Sequence, residues 1–149
     1  MDKPKVIVLW GKGQRGKTTT LNLLIEKLIS SGAAVLRGAP ASNPEINCWV
    51  ILEYQGRKIG IITAGDDEKT LDYYFRKLCI RCDVYICASR TKGSSCQYIK
   101  NRFQDHLIVW QEKWSVGIEG SRKTSVEDDL RKDANEKQVK GLIRTIDTL

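Results

Sequence analysis

Residues able to do chemistry cluster first between Gly11 and Thr19. Gly11-Lys12-Gly13-Gln14-Arg15-Gly16-Lys17-Thr18 satisfies G-x-x-x-x-G-K-[ST] at every fixed position. Glycines at this spacing let the backbone curl until successive N–H groups converge on phosphate oxygens. A helix opening at Lys17 adds unpaired amide donors and a partial positive charge. Lys17 has the reach for β- and γ-phosphates, and the Thr18 hydroxyl suits a Mg²⁺ ion. Gly13 and Gly16 are placed where a side chain would hinder the curl. Gln14 and Thr19 complete the candidate binding run. Lys12 and Arg15 are extra cations, read first as solvated.

Two further constellations follow. A phosphate-bound Mg²⁺ usually takes a carboxylate beside the loop hydroxyl. Asp66 is the first choice and Asp67 the second, one of them being free to cap the next helix. Ser89-Arg90-Thr91-Lys92-Gly93-Ser94-Ser95 then follows an apolar run, so Arg90 or Lys92 is positioned to neutralise charge developing on a transferred phosphoryl group. The bland alternative for that stretch is a basic surface loop with a serine helix cap. Cys79-Ile80-Arg81-Cys82 has redox or zinc spacing, but His106 is the single histidine and a zinc site needs two more ligands. With five cysteines and no secretory signal, reduced thiols are the expected state.

The elements that must hold these residues can be traced from periodicity. Val6–Trp10 is a continuous apolar run ending at glycine, the pattern of a strand buried on both faces. Leu21, Leu24, Ile25, Leu28 and Ile29 fall on one helical face, with Gly32 placed as a C-terminal cap. Residues 38–45 read as a loop punctuated by Pro40 and Pro44. Residues 46–54 and 57–64 read as strands joined by a tight Gln55-Gly56 turn, with Glu53 on the solvated face. Leu71, Tyr74, Phe75, Leu78 and Cys79 predict a second helix, and Val84–Ala88 a buried strand. Ser94 or Ser95 would cap a third helix carrying Cys96, Ile99 and Phe103, and His106–Trp110 would close the sheet.

Beyond Gly117 and Gly120, Thr124-Ser125-Val126-Glu127 offers a capping box. Val126, Leu130, Ala134, Val139, Leu142, Ile143 and Ile146 then recur at helical spacing, giving either one C-terminal helix or two broken near Asn135. These would cover one face of the sheet or meet a protein partner.

Length and charge bound the rest. With 149 residues, 41% hydrophobic and 29% charged, one folded domain over 1–149 is expected, with 115–149 as a C-terminal helical extension. No apolar run approaches the roughly 20 residues of a membrane helix. The apolar run after the N-terminus is too short for a signal peptide, so the expectation is a cytoplasmic protein without a membrane partner. The net charge of +7 is uneven: residues 1–114 hold 18 Lys and Arg against 11 Asp and Glu, and residues 115–149 hold seven of each. An anionic ligand is therefore expected in the front part, although this excess alone does not indicate nucleic acid.

The loop motif resembles that of the P-loop nucleoside triphosphatases, and the alternating strand–helix order extends the likeness over roughly residues 5–112. The resemblance implies a three-layer α/β fold: a mostly parallel sheet with one antiparallel hairpin strand, then C-terminal helices. The inserted hairpin is similar to the small-GTPase and nucleotide-kinase branch. Ile61-Ile62-Thr63-Ala64-Gly65 looks like the D-T-A-G of GTPases, with Ile62 where the aspartate would stand. No N-K-x-D or T-K-x-D follows the last strand, where Trp110-Gln111-Glu112-Lys113-Trp114 stands instead. That departure favours ATP over GTP. The implied activity is Mg²⁺-dependent binding and slow hydrolysis of a nucleoside triphosphate, with Lys17 and Arg90 as the catalytic cations. A small phosphotransferase and a non-catalytic nucleotide sensor are the alternatives.

Overall fold

A run of apolar residues needs cover on both faces, and β1 (Lys5–Trp10) has it. Ile7 and Leu9 enter one hydrophobic cluster, Val6 and Val8 the other, and all four are fully buried. The computed structural model describes residues 4–11, 16–78, 80–91, 93–114 and 125–149. Among them β1 is followed by α1 (Lys17–Ser30), β2 (Ala34–Gly38), β3 (Trp49–Tyr54), β4 (Arg57–Ile62), α2 (Glu68–Lys77), β5 (Val84–Ser89), α3 (Ser94–Arg102), β6 (Leu107–Glu112) and α4 (Ser125–Thr148).

The strands form one sheet in the order β2-β3-β4-β5-β1-β6. Strand β3 runs against both of its neighbours, and the other ladders are parallel. Helices α1 and α4 cover one face through Leu21, Leu24, Leu28, Val139, Leu142 and Ile146. The opposite face is covered from α2 and α3 by Leu71, Phe75 and Ile99. The result is a three-layer α/β architecture.

Local chemistry explains the boundaries. Helix α1 ends where Gly32 takes φ +106°, with Ala33 N donating to Leu28 O at 2.9 Å and Gly32 N to Ile29 O at 3.0 Å. That is a Schellman cap. Gln55 (φ 51°) and Gly56 (φ 76°) both take positive φ, the requirement of a type I′ hairpin between β3 and β4. Asp67 caps α2, its Oδ1 accepting from Thr70 N at 2.8 Å.

The structure departs from the periodicity at β2 and at the α3 cap, and it has one C-terminal helix where one or two were expected. Strand β2 was not expected; it is exposed along its length, with an irregular register between Val35 and Arg37, and so carries no burial pattern. Helix α4 continues through Asn135 without a break, because Asn135 lies on its buried side and bonds inward. Its residues Val139, Leu142 and Ile146 cover the sheet, whereas Leu130 is exposed. The helix α3 cap is Gly93, without a side-chain bond, because both candidate serines are engaged elsewhere. Ser94 Oγ accepts from Glu68 N at 3.2 Å and Ser95 Oγ from Arg90 N at 3.1 Å. Thr124 of the capping box and Cys79 of the paired cysteines lie outside the described residues. Cys48, Cys82 and Cys87 are buried free thiols.

One contact fixes how β4 hands the chain to the site. A Cβ added at Gly65 would lie 2.0 Å from Ala88 O and 2.2 Å from Ala88 C, so the segment after β4 runs directly against the backbone of β5. Gly65→Ala is expected to destabilise the fold by about 1–3 kcal/mol, the range of overpacked sites. Gly141, in α4 with nothing within 4 Å of an added Cβ, is the contrast. Gly141→Ala should stabilise by about 0.5–1 kcal/mol through helix propensity alone. Urea unfolding of the two variants checks both signs.

Candidate functional site

The carboxyl ends of four adjacent strands, β4, β5, β1 and β6, line the edge of the sheet from which α1 starts. Strand β5 stands between β1 and β4, so its last residue, Ser89, lies between the loop that leaves β1 and the segment that leaves β4. Ser89 O accepts from Gly11 N at 3.1 Å, extending the ladder one step beyond β1.

The loop leaving β1 returns at Gly16, whose φ of 79° is left-handed and suits glycine. Gly16 O accepts from both Thr20 N and Thr20 Oγ1 at 2.9 Å, which starts the helix. Lys17 follows, and its side chain folds back toward the ends of β1 and β5. Its Nζ donates to Gly11 O at 2.7 Å and to Ser89 O at 3.0 Å, with the residue only 6% exposed. Burial pulls the ammonium below its ordinary value, Asp66 opposes that shift and Arg90 adds to it. A lysine, a carboxylate and a guanidinium therefore share one electrostatic neighbourhood.

Thr18 Oγ1 lies 3.1 Å from Asn47 Oδ1 and 3.3 Å from Thr63 O, between the start of α1 and the end of β4. Thr63 ties this edge down: it is fully buried, and its Oγ1 accepts from Cys48 N at 2.8 Å. Asp66 and Asp67 divide the work. Asp67 caps α2, and its bonds to Thr70 hold its carboxyl below the usual range. Asp66 Oδ1 faces Arg90 Nε at 3.8 Å, and both side chains are more than half exposed. Such a surface pair contributes little to stability and yields readily to a ligand.

Lys12, Gly13, Gln14, Arg15 and Lys92 lie outside the described residues. Gly11, Gly16, Lys17 and Thr18 come together with Asp66 and Arg90 around one corner of the sheet. Thr19 is half-buried and lines a groove of about 530 Å³ with Asn22, Leu23, Pro40, Pro44 and Asn135.

The donor set can be tested against Mg²⁺. Thr18 and Asp66 offer hard oxygens, the type Mg²⁺ prefers. Among the described residues no group of three or more His, Cys, Asp or Glu is placed to hold a metal. One hydroxyl and one carboxylate fit an ion that keeps waters and leans on substrate phosphates rather than an all-protein cage.

Sequence reasoning missed Lys113, just past β6. Its backbone N donates to Trp10 O at 2.7 Å. Its Cβ lies 3.3 Å from a Cβ built on Gly11, and its Cε 3.8 Å from one built on Gly16, so its stem reaches both ends of the glycine-rich segment. Its Nζ donates to Asn135 Oδ1 at 2.9 Å and to Trp114 O. The only signal in the sequence is a lysine following a strand, which ordinarily means a solvated residue.

Comparison of the chain with family models, with curated proteins and with solved structures finds no match. No helix among the described residues is long and apolar enough to cross a membrane.

Burial lowers the Lys113 ammonium to about 8, against 10.5 for a free lysine. The unfolded chain holds this proton to higher pH than the folded one, so the group's contribution to stability rises between about pH 8 and 10.5. Stability of the wild type relative to Lys113→Met should therefore climb across that window. Urea unfolding of both proteins at pH 7 to 10 tests it, and a constant difference would count against the burial.

Proposed function

We propose that this chain binds a nucleoside triphosphate with Mg²⁺, ATP in preference to GTP, and hydrolyses it slowly. The observation that carries the reading is the Lys17 ammonium, buried beneath the loop ends and held by the Gly11 and Ser89 carbonyls. Neutral carbonyls orient the cation without cancelling its charge. A side chain held this way is preorganised for an anion seated on the loop, and the first turn of α1 supplies amide donors beside it.

The remaining residues fit the same ligand. Thr18 and Asp66 would supply oxygens for Mg²⁺, which when bound would offset phosphate charge. Arg90 leaves its exposed contact with Asp66 for the γ-phosphate, where charge accumulates as the bond to the β-phosphate breaks. Water attacks the γ-phosphorus in line; the β-phosphate oxygen leaves with the bonding pair. The water proton passes to solvent or to the product phosphate, giving a nucleoside diphosphate and inorganic phosphate. The missing guanine-reading carboxylate after β6 favours adenine.

Lys17→Ala should fold and lose triphosphate affinity by about 10- to 100-fold, the value of one charge-assisted contact. Calorimetry with ATP checks this, and equal affinity in both proteins removes the central claim. Thr18→Ala should shift the Mg²⁺ titration of ATP binding to higher metal; overlaid curves would release Thr18 from the metal.

Arg90 separates turnover from binding. Arg90→Ala should lower the single-turnover rate at saturating ATP and Mg²⁺ far more than it lowers affinity, because the contact forms mainly in the transition state. Arg90→Lys should restore only part of the rate, since an ammonium lacks the planar fork. Identical rates in all three proteins would leave Arg90 a surface charge.

A further inference from the structure

Among the described residues two aromatic side chains are classed as exposed, Tyr73 and Trp114. Tyr73 lies on α2, against Tyr74 and beneath Lys77. Trp114 is different: it is 52% exposed and stands two residues beyond β6, at the edge of the sheet that carries the phosphate-loop motif.

Its backbone is held on both sides by buried polar side chains. Trp114 N donates to Gln138 Oε1 at 2.9 Å, and Trp114 O accepts from Lys113 Nζ. Gln138 is 3% exposed and its Nε2 also donates to Glu112 O at 2.7 Å, so one amide clamps the chain before and after Lys113. Lys113 in turn lies against Gly11 and Gly16. A large apolar surface is thus presented to solvent, one residue from the side chain that spans the ends of the loop. Holding the backbone of an exposed aromatic in this way reduces the entropy lost when a ligand settles on it.

We infer that Trp114 is the stacking platform for the base of the nucleotide whose phosphates occupy the loop. The inference rests on the nucleotide-binding reading and adds to it the residue that receives the base. Every base has a π-face, so a tryptophan platform holds adenine and guanine alike. Preference between the two then comes from edge contacts elsewhere. The indole also contributes area that a tripolyphosphate without a base leaves unused.

Calorimetry on wild type, Trp114→Ala and Trp114→Phe, with ATP and with inorganic tripolyphosphate in Mg²⁺, tests this. Trp114→Ala should weaken ATP by about 10- to 100-fold, the value of one base–aromatic stack, and leave tripolyphosphate affinity unchanged. Trp114→Phe should recover most of the ATP affinity. Unchanged tripolyphosphate binding also shows that the alanine variant is folded. If Trp114→Ala leaves ATP affinity intact, or weakens both ligands equally, Trp114 is not the platform and the phosphate site stands without it. If wild type binds neither ligand, the nucleotide reading itself falls and this inference falls with it.

Discussion

The arrangement depends on a buried cation that main-chain carbonyls help to hold. An ammonium removed from water is unfavourable by several kcal/mol unless oxygens replace its hydration. Lys17 finds two of them, Gly11 O and Ser89 O, at the carboxyl ends of neighbouring parallel strands. Those oxygens are available there because a parallel ladder ends with slanted, partly used carbonyls, and because the chain leaves β1 as a loop. The lysine therefore works as a bolt through the end of the sheet. The demand to solvate it constrains the loop's exit, its return at Gly16 and the position of β5.

The place of β5 in the sheet has consequences of its own. Lying between β1 and β4, it separates the start of α1 from Asp66 by the width of a strand, and Ser89 and Arg90 occupy that gap. Three ties bring the far side back: Gly65 runs against Ala88, Ser95 Oγ accepts from Arg90 N, and Thr18 reaches Thr63 O. Each is short because one partner is backbone. A carboxylate on an exposed loop is thereby held in the electrostatic neighbourhood of a buried lysine by main-chain geometry.

Much of this was legible in the residues and some was not, for physical reasons. Buried strands such as β1 and β5 announce themselves because cover on both faces demands continuous apolar residues. The α1 and α2 faces follow from 3.6-residue spacing, and the hairpin from its two-residue turn. Strand β2 has no such signature: every residue of Ala34–Gly38 is exposed, so backbone pairing to β3 holds it and backbone pairing leaves no mark on residue type. Of the two readings of the C-terminal segment, the single helix holds, because asparagine's poor helix propensity is a weak prior, overridden when its amide oxygen serves Thr20 and Lys113. The serines before α3 misled for a related reason. A hydroxyl beside a helix start usually caps it, but here tertiary donors, Glu68 N and Arg90 N, take both oxygens.

Helix α4 shows how polar residues can be the more informative half of a helix. Its apolar residues Val139, Leu142 and Ile146 close the core, as any amphipathic helix would. Its register comes from bonds that tolerate no sliding. Arg57 donates to Ile146 O and Leu149 O at the C-terminal end, where the helix dipole favours a cation. Thr145 Oγ1 accepts from Gln111 Nε2 at 2.7 Å in the last turn, and Gln138 and Asn135 meet residues 112–114 near the middle. A shift of one residue would break all of these together and strand a buried lysine. Such a network adds little net stability beyond a greasy interface of equal area, because each bond replaces one to water. Its effect is specificity: α4 is locked to the sheet in the one register that sets Lys113 against Gly11 and Gly16. The described face of α4 nearest the loop is therefore part of the candidate site, although no residue on that helix carries a recognisable motif.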